Sequence, residues 1–540
     1  MRKIYFVLFF YTLLYVVLYF VTLNINYVEG DDAATVLYHL CGQNPAIQKP
    51  YAAYNSGFDW LLQVMNLQSE TALRTFSIGI SFVFGYLVLC FSALFLDLAF
   101  RKNSSNAKYL FLALLPFIVP DFIFHSLLLN SSNISFAFAL ASIICYMHFF
   151  LKGKWAYFIL SILFLAIAIP FRWSMVTIFP MFFSLLFLYN EKSVFYRVKI
   201  AVLHNAAALI LGISLIYVSG YNLTSIINTI IWGRSYVENA ERSVLSMLAT
   251  GSAFFTAPFV ILLAAGLFYA VTAKRKRLLQ NIAFAFLPLI PFFILGFAPA
   301  FKFLLTFVPV LLMLALTGFL YLSDLKFLHG LFLTVLILCW FVGIRIDASG
   351  TAAGPGFEQS IAGKLDKNTT VTDRNMDGRV KIKKVRPTLG GGFYMPMLEG
   401  PRPMYGYFYV IFGGGWKQNI QQFTDDRNAV ATLLKDKKFT YLQDRKTAYF
   451  QCDLFRNGYK TTMPFVENGD VEFRDFIKNS DTIKVLSISD NISKVDYAAK
   501  FINANDKVIF RSAYSSMILN LARQTEGIRL IGPYTIQKGK

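Results

Sequence analysis

Eleven stretches of the chain stay apolar for long enough to cross a bilayer as helix. They run roughly over 4–23, 76–99, 109–129, 134–151, 155–171, 173–189, 200–219, 253–272, 278–297, 301–322 and 327–347. A hydrocarbon core of about 30 Å takes about 20 residues of helix, so each run has spanning length. The pattern changes after residue 347. Short β-branched runs at 369–372, 380–385, 439–442, 482–488, 507–510 and 528–531 predict strands, and 428–435, 494–504 and 515–524 predict helices. From residue 482 onward the order strand, helix, strand, helix, strand predicts parallel strands joined by crossover helices. The expected fold class is an α-helical polytopic membrane protein of about 11 transmembrane helices (residues 1–347), followed by a C-terminal α/β soluble domain (residues 348–540).

Basic residues then orient the spans. Arg2 and Lys3 precede the first run and predict a cytoplasmic N-terminus. The alternate gaps hold the basic clusters: Arg101, Lys102 and Lys108, then Lys152 and Lys154, then Lys192, Arg197 and Lys199, then 274–277, then Lys326. The remaining gaps carry isolated basic residues such as Arg74, Arg172, Arg234, Arg242, Lys302 and Arg345. With an odd number of spans, the C-terminal domain falls on the periplasmic or extracellular side. The first run is long and lacks a small-residue cleavage site, so it predicts a retained anchor in the plasma (inner) membrane.

Composition narrows the class further. Of 540 residues, 56% are apolar and 15% charged, against roughly 25% charged in an average soluble domain. That excludes a wholly soluble chain and a disordered one. Five cysteines rule out a disulfide framework. Each part carries a net charge of +10. On the C-terminal domain this predicts attraction to anionic membrane lipids or glycans, and nothing in the pattern points to nucleic acid.

Three external segments follow from this topology: 24–75, 220–252 and 348–540. The first opens with Glu29, Gly30, Asp31 and Asp32, placing three acids just past the first span. Two neighbouring carboxylates repel, so one of them takes up a proton readily, as a general base must. Asp32 begins an amphipathic stretch that carries His39 seven residues later on the same face. Helix capping explains one Asp, but not the pair together with Glu29. Further on, Tyr51, Tyr54, Asp59 and Trp60 give a polar and aromatic surface that suits a sugar or an interface belt. Residues 56–67 predict a short helix lying on the membrane.

One span, an acidic pair opening a long external loop, about ten further spans and an external C-terminal domain together resemble the GT-C superfamily of membrane glycosyltransferases. The pattern is most similar to the protein O-mannosyltransferases and the lipid A aminoarabinose transferases. The resemblance implies a polyprenyl-phosphate-linked sugar donor, a glycan, lipid or protein acceptor, and a base at Asp31 or Asp32. Those families have Asp-Glu where this chain has Asp-Asp. The Trp-Trp-Asp-Tyr-Gly motif of oligosaccharyltransferases is absent, the nearest string being 415–417.

The resemblance also implies an Arg at the outer end of the fifth span, matched here by Arg172 followed by Trp173. A guanidinium holds phosphate with two parallel hydrogen bonds. A snorkelling interfacial Arg is the competing reading. Lys302, at the outer start of the tenth span, is the second candidate for stabilising a departing phosphate. Arg242, with Arg234, lies in the second external segment beside Glu238 and Glu241, where loop ion pairs are the simpler reading. Asp121 and His125 lie four residues apart in the third run and share one helix face. With Asp31, Asp32 and His39 they offer donor atoms for a divalent metal. They lack a tight ligand spacing, so no cofactor is predicted and an Asp–His hydrogen bond is preferred. The alternatives from other classes are a transporter or flippase of lipid-linked sugars, and a polysaccharide polymerase or ligase.

Overall fold

The computed structural model describes residues 2–22, 56–66, 70–99, 105–118, 131–185, 193–221, 257–273 and 308–342, ten strands between 345 and 538, and single positions at 224, 227 and 279. Helix is described in all or part of ten of the eleven apolar runs. The run at 278–297 lies, but for one position, outside the described residues. The helices are α1 (Arg2–Thr22), α2 (Ser56–Met65), α3 (Glu70–Ala99), α4 (Ser105–Ile118), α5 (Ser131–Lys152), α6 (Trp155–Phe171), α7 (Phe179–Ser184), α8 (Val194–Val218), α9 (Ala257–Thr272), α10 (Val308–Asp324) and α11 (Lys326–Val342). Among the described residues three segments are long and apolar enough to cross a membrane, Thr75–Asp97 in α3, Ser131–Lys152 and Val194–Val218, and they mark the chain as a membrane protein.

One apolar core runs through these helices, with Phe84, Phe91, Phe136, Tyr146 and Phe182 fully enclosed. Lipid is as apolar as leucine, so helices in a bilayer associate through close packing and internal hydrogen bonds instead of hydrophobic exclusion. The bundle uses both. α5 and α6 form an antiparallel hairpin whose tight turn passes through Gly153 at φ 65. The glycine N–H closes α5 on Phe149 O at 2.8 Å, an end that favours a residue without Cβ. Ser135 Oγ donates to Ala168 O and Ser142 Oγ to Ser161 O, each at 2.7 Å. The two pairs are seven residues apart on both helices, which fixes the register.

Close packing shows where α9 crosses α10. A Cβ placed on Gly318 would lie 2.8 Å from Gly266 N and 2.9 Å from Leu262 C, and one on Gly266 would strike the Leu314 carbonyl. α1 docks on α3 in a related way. Tyr11 and Tyr15 set their hydroxyls where a Cβ on Gly85 would go, and Ser81 Oγ donates to Tyr15 OH at 3.2 Å.

A polar knot, absent from the residues singled out in the sequence, ties α5, α6, α7 and α8 together. Asn205 Nδ2 donates to Phe179 O at 3.2 Å, which turns its Oδ1 toward His204 Nδ1 at 3.1 Å. That contact favours the tautomer protonated at Nδ1, leaving Nε2 to accept from Ser161 Oγ at 2.7 Å. Rings of Phe182, Tyr146 and Phe158 surround the imidazole, with centroids at 4.3, 4.9 and 5.7 Å. Ser161→Ala deprives Nε2 of its donor. It is expected to lower stability by about 1–2 kcal/mol, read by reversible unfolding in mixed detergent micelles; an unchanged unfolding free energy would show the knot to be energetically idle.

The strands are β1 (Arg345–Asp347), β2 (Arg386–Thr388), β3 (Phe393–Met395), β4 (Arg402–Met404), β5 (Phe439–Gln443), β6 (Lys460–Thr462), β7 (Ile483–Ile488), β8 (Lys507–Phe510), β9 (Ile528–Ile531) and β10 (Thr535–Lys538). Six form a mixed sheet in the order β6-β5-β7-β8-β10-β9. β6, β5, β7 and β8 are parallel, as alternation with crossovers requires. β9 runs in the same direction as β8 but is not its neighbour, because β10 inserts between them, antiparallel to both. Residues 393–404 contain an antiparallel pair, β3 with β4, in which Tyr394 is in register with Pro403. β1 pairs with β2. The expected strands at 369–372 and 380–385 and the expected helices at 428–435, 494–504 and 515–524 lie outside the described residues.

Candidate functional site

Pro170 lies in the last turn of α6. It has no N–H to offer the Ala166 carbonyl, and Gly212 of α8 lets the two helices approach there: a Cβ on Gly212 would lie 3.2 Å from Ala166 O. Two residues on, Arg172 is extended (φ −159, ψ 104). Its N–H still bonds Ala168 O at 3.1 Å, and its own carbonyl accepts from Met175 N at 2.9 Å. One residue thus closes α6 and opens a 3-10 turn over Trp173–Ile178. Helix resumes as the short α7, with a proline in its first turn. The continuous helix expected over 173–189 is therefore broken. Pro180 cannot donate an α-helical bond to Val176, whose carbonyl instead takes the Phe179 N–H.

Arg172 is only 2% exposed. A snorkelling interfacial Arg would keep its guanidinium in water or among headgroups, so burial speaks for a role inside the junction. Trp173 is half-buried and packs with Tyr221 against Ile169 and Ile216.

The amphipathic helix α2 seats itself on this break. Ser56 Oγ donates to Pro170 O at 3.4 Å. Gly57 lies against the α6 backbone, where a Cβ would come 2.9 Å from Phe171 N and 3.0 Å from Pro170 C. Ser56, Gly57, Phe58, Asp59 and Leu62 face inward. Trp60, at 49% exposure, lies on the opposite side with Val64 and Met65. The helix expected to lie on the membrane thus has one face docked on the bundle.

Asp59 is 2% exposed. Its Oδ2 accepts from Tyr221 OH at 2.9 Å and from Gln63 Nε2 at 3.5 Å. Tyr221 owes its position to the end of α8. Gly220 at φ 84 terminates the helix, Tyr221 N–H returns to Ile216 O at 3.2 Å, and the tyrosine ring covers Ile216. This is a Schellman closure with its usual apolar contact. The start of α5 adds buried Ser131, Ser132, Asn133 and Ser135. The junction of α2, α5, α6 and α8 thereby gathers two oppositely charged side chains, Asp59 and Arg172, and a row of small polar groups at one end of the bundle.

Of the residues singled out from the sequence, Arg172 and Trp173 fall in this junction. Glu29, Asp31, Asp32, His39, Tyr54, Asp121, His125, Arg242 and Lys302 lie outside the described residues, and so does every donor of the considered metal set. Among the described residues, no group of three or more His, Cys, Asp or Glu side chains is placed to hold a metal ion. Sequence reasoning placed Asp59 on a polar and aromatic surface, whereas it is buried, and it passed over Tyr221 and His204. The readable signals were a carboxylate on the apolar face of an amphipathic helix, between Phe58 and Leu62, and an imidazole in the middle of an apolar run. Neither models of known protein families nor curated proteins match this chain.

Proposed function

We propose that this chain is a glycosyltransferase of GT-C type. It would have about eleven spans, a cytoplasmic N-terminus and an external C-terminal α/β domain, and would move a sugar from a polyprenyl-phosphate carrier to an acceptor hydroxyl. The observation that carries this reading is the seat of α2. The segment 24–75, which opens with Asp31 and Asp32, sends a helix back onto the bundle at the break next to Arg172. A base and a phosphate-binding guanidinium on these two elements would face one another across the same end of the molecule.

In the proposed step, Asp31 or Asp32 accepts the proton of the acceptor hydroxyl as its oxygen attacks the anomeric carbon in line. The bond from that carbon to the phosphate oxygen breaks, and its electron pair leaves on the phosphate. Arg172, assisted by Lys302, stabilises the charge that develops there. A single displacement inverts the anomeric centre and needs one carboxylate base. Glu29, His39, Tyr54, Asp121, His125, Trp173 and Arg242 would line the donor and acceptor sites.

The test is turnover by the full chain in proteoliposomes, supplied with a panel of polyprenyl-phosphate sugars. Release of polyprenyl phosphate, with inverted configuration in the glycosylated product, is the expected result. Sugar crossing the bilayer still attached to its carrier, without transfer, would overturn the reading in favour of a flippase.

A further inference from the structure

We propose that the hydrogen bond from Tyr221 to Asp59 is a latch, and that Asp59 is a positioning residue for the transfer reaction proposed above, on which this inference rests. The bond joins the first external segment to the opening residues of the second, across 162 positions of sequence. Each partner is fixed by its own element. Tyr221 is held by the Schellman closure of α8, and Asp59 is on α2 two residues beyond Gly57, which touches the α6 backbone.

The bond is one of several polar ties of α2. Ser56 reaches Pro170 O at a long 3.4 Å, and Gln63 reaches Asp59 within α2 itself. A ten-residue helix has little stability of its own, and one face of α2 is open, with Trp60, Val64 and Met65 exposed. A charge-assisted bond within a buried junction, the one that ties α2 to the end of α8, therefore helps to keep α2 seated. Since α2 belongs to the segment that carries Asp31 and Asp32, losing the latch moves the base relative to Arg172. Misplacement by about 1 Å is enough to slow a reaction by about a hundredfold, while the donor site within the bundle is left as it was.

The experiment uses the full chain in nanodiscs, with its five cysteines replaced and Ser56→Cys introduced at a fully buried position. Maleimide labelling reports whether α2 lifts. Tyr221→Phe and Asp59→Ala are expected to speed labelling at least tenfold, whereas Asp59→Asn, which keeps an accepting oxygen, is expected to label at close to the parent rate. In the transfer assay Tyr221→Phe is expected to lower kcat about tenfold or more, with KM for the donor within twofold. The Tyr221→Phe/Asp59→Ala double variant is expected to lose no more than the worse single one, as coupled partners do. Unchanged labelling in both single variants would overturn the latch. Faster labelling with unchanged kcat would overturn the positioning role. A parent chain that labels slowly but transfers no sugar from any donor would remove the glycosyltransferase reading, and the labelling arm would then decide the latch alone.

Discussion

Asp31→Asn is expected to abolish sugar transfer while the protein still inserts into the membrane and still binds the carrier lipid. Asparagine keeps the size and much of the hydrogen bonding of the side chain but cannot accept the acceptor's proton. A positioned base contributes about 10²–10⁴-fold, so the loss corresponds to about 3–5 kcal/mol in the barrier. Asp32→Asn is the necessary partner experiment, because the acidic pair offers two carboxylates and the resemblance matches the first of them. One variant should be inactive and the other should retain a measurable rate. The measurement is initial rate of polyprenyl phosphate release under saturating donor, with lipid binding followed separately by native mass spectrometry. Full activity in both variants would remove the mechanism and leave segment 24–75 a structural role.

Gly318→Leu is expected to prevent α9 and α10 from packing, and is the substitution with the largest expected effect on stability. A Cβ at this position already falls 2.8 Å from Gly266 N and 2.9 Å from Leu262 C. These are backbone atoms, so no rotamer change relieves the overlap. Gly318→Ala should cost about 1–3 kcal/mol, as overpacking of a full core does, and leucine should exceed that. Gly266→Ala is expected to act similarly, since its Cβ meets the Leu314 carbonyl. The readout is the midpoint of unfolding in detergent, together with the yield of monodisperse protein. A Gly318→Leu chain that unfolds at the parental midpoint would show that the two helices do not meet at these glycines.

Helices were legible wherever hydropathy alone decides the matter. The run at 155–171 coincides with α6, and the runs at 76–99 and 134–151 lie within α3 and α5, which begin six and three residues earlier. The break at Arg172 was less legible. Pro170 and Pro180 each forbid particular backbone bonds, but hydropathy is blind to the break because the residues on either side remain apolar. The site was legible only as far as residue type announces function. Arg172 stands out as a cation at the end of an apolar run. Asp59 does not, because its importance comes from being turned inward by a helix whose face is chosen through contact with Pro170 and Phe171. His204 was overlooked for the opposite reason. It sits in an apolar run as one residue among many, and beside its chain neighbour Asn205 its hydrogen-bonding partner Ser161 is brought to it only by folding. In the C-terminal part, local β-propensity located β5, β7, β8 and β9. It could not foresee that β10 would slide in beside β8, because pairing order is a property of the whole sheet.

The docking of α1 has a bearing on how the protein is made. Tyr11 and Tyr15 leave the ribosome well before the stretch containing Ser81 and Gly85. Until that stretch follows, the Ser81–Tyr15 hydrogen bond and the close approach of both tyrosines to Gly85 cannot form, and α1 waits without its seat on α3. Biogenesis should therefore proceed with α1 retained at the translocon and released together with α3 as a pair, so that the leading hydrophobic segment acts as the first half of an assembly unit.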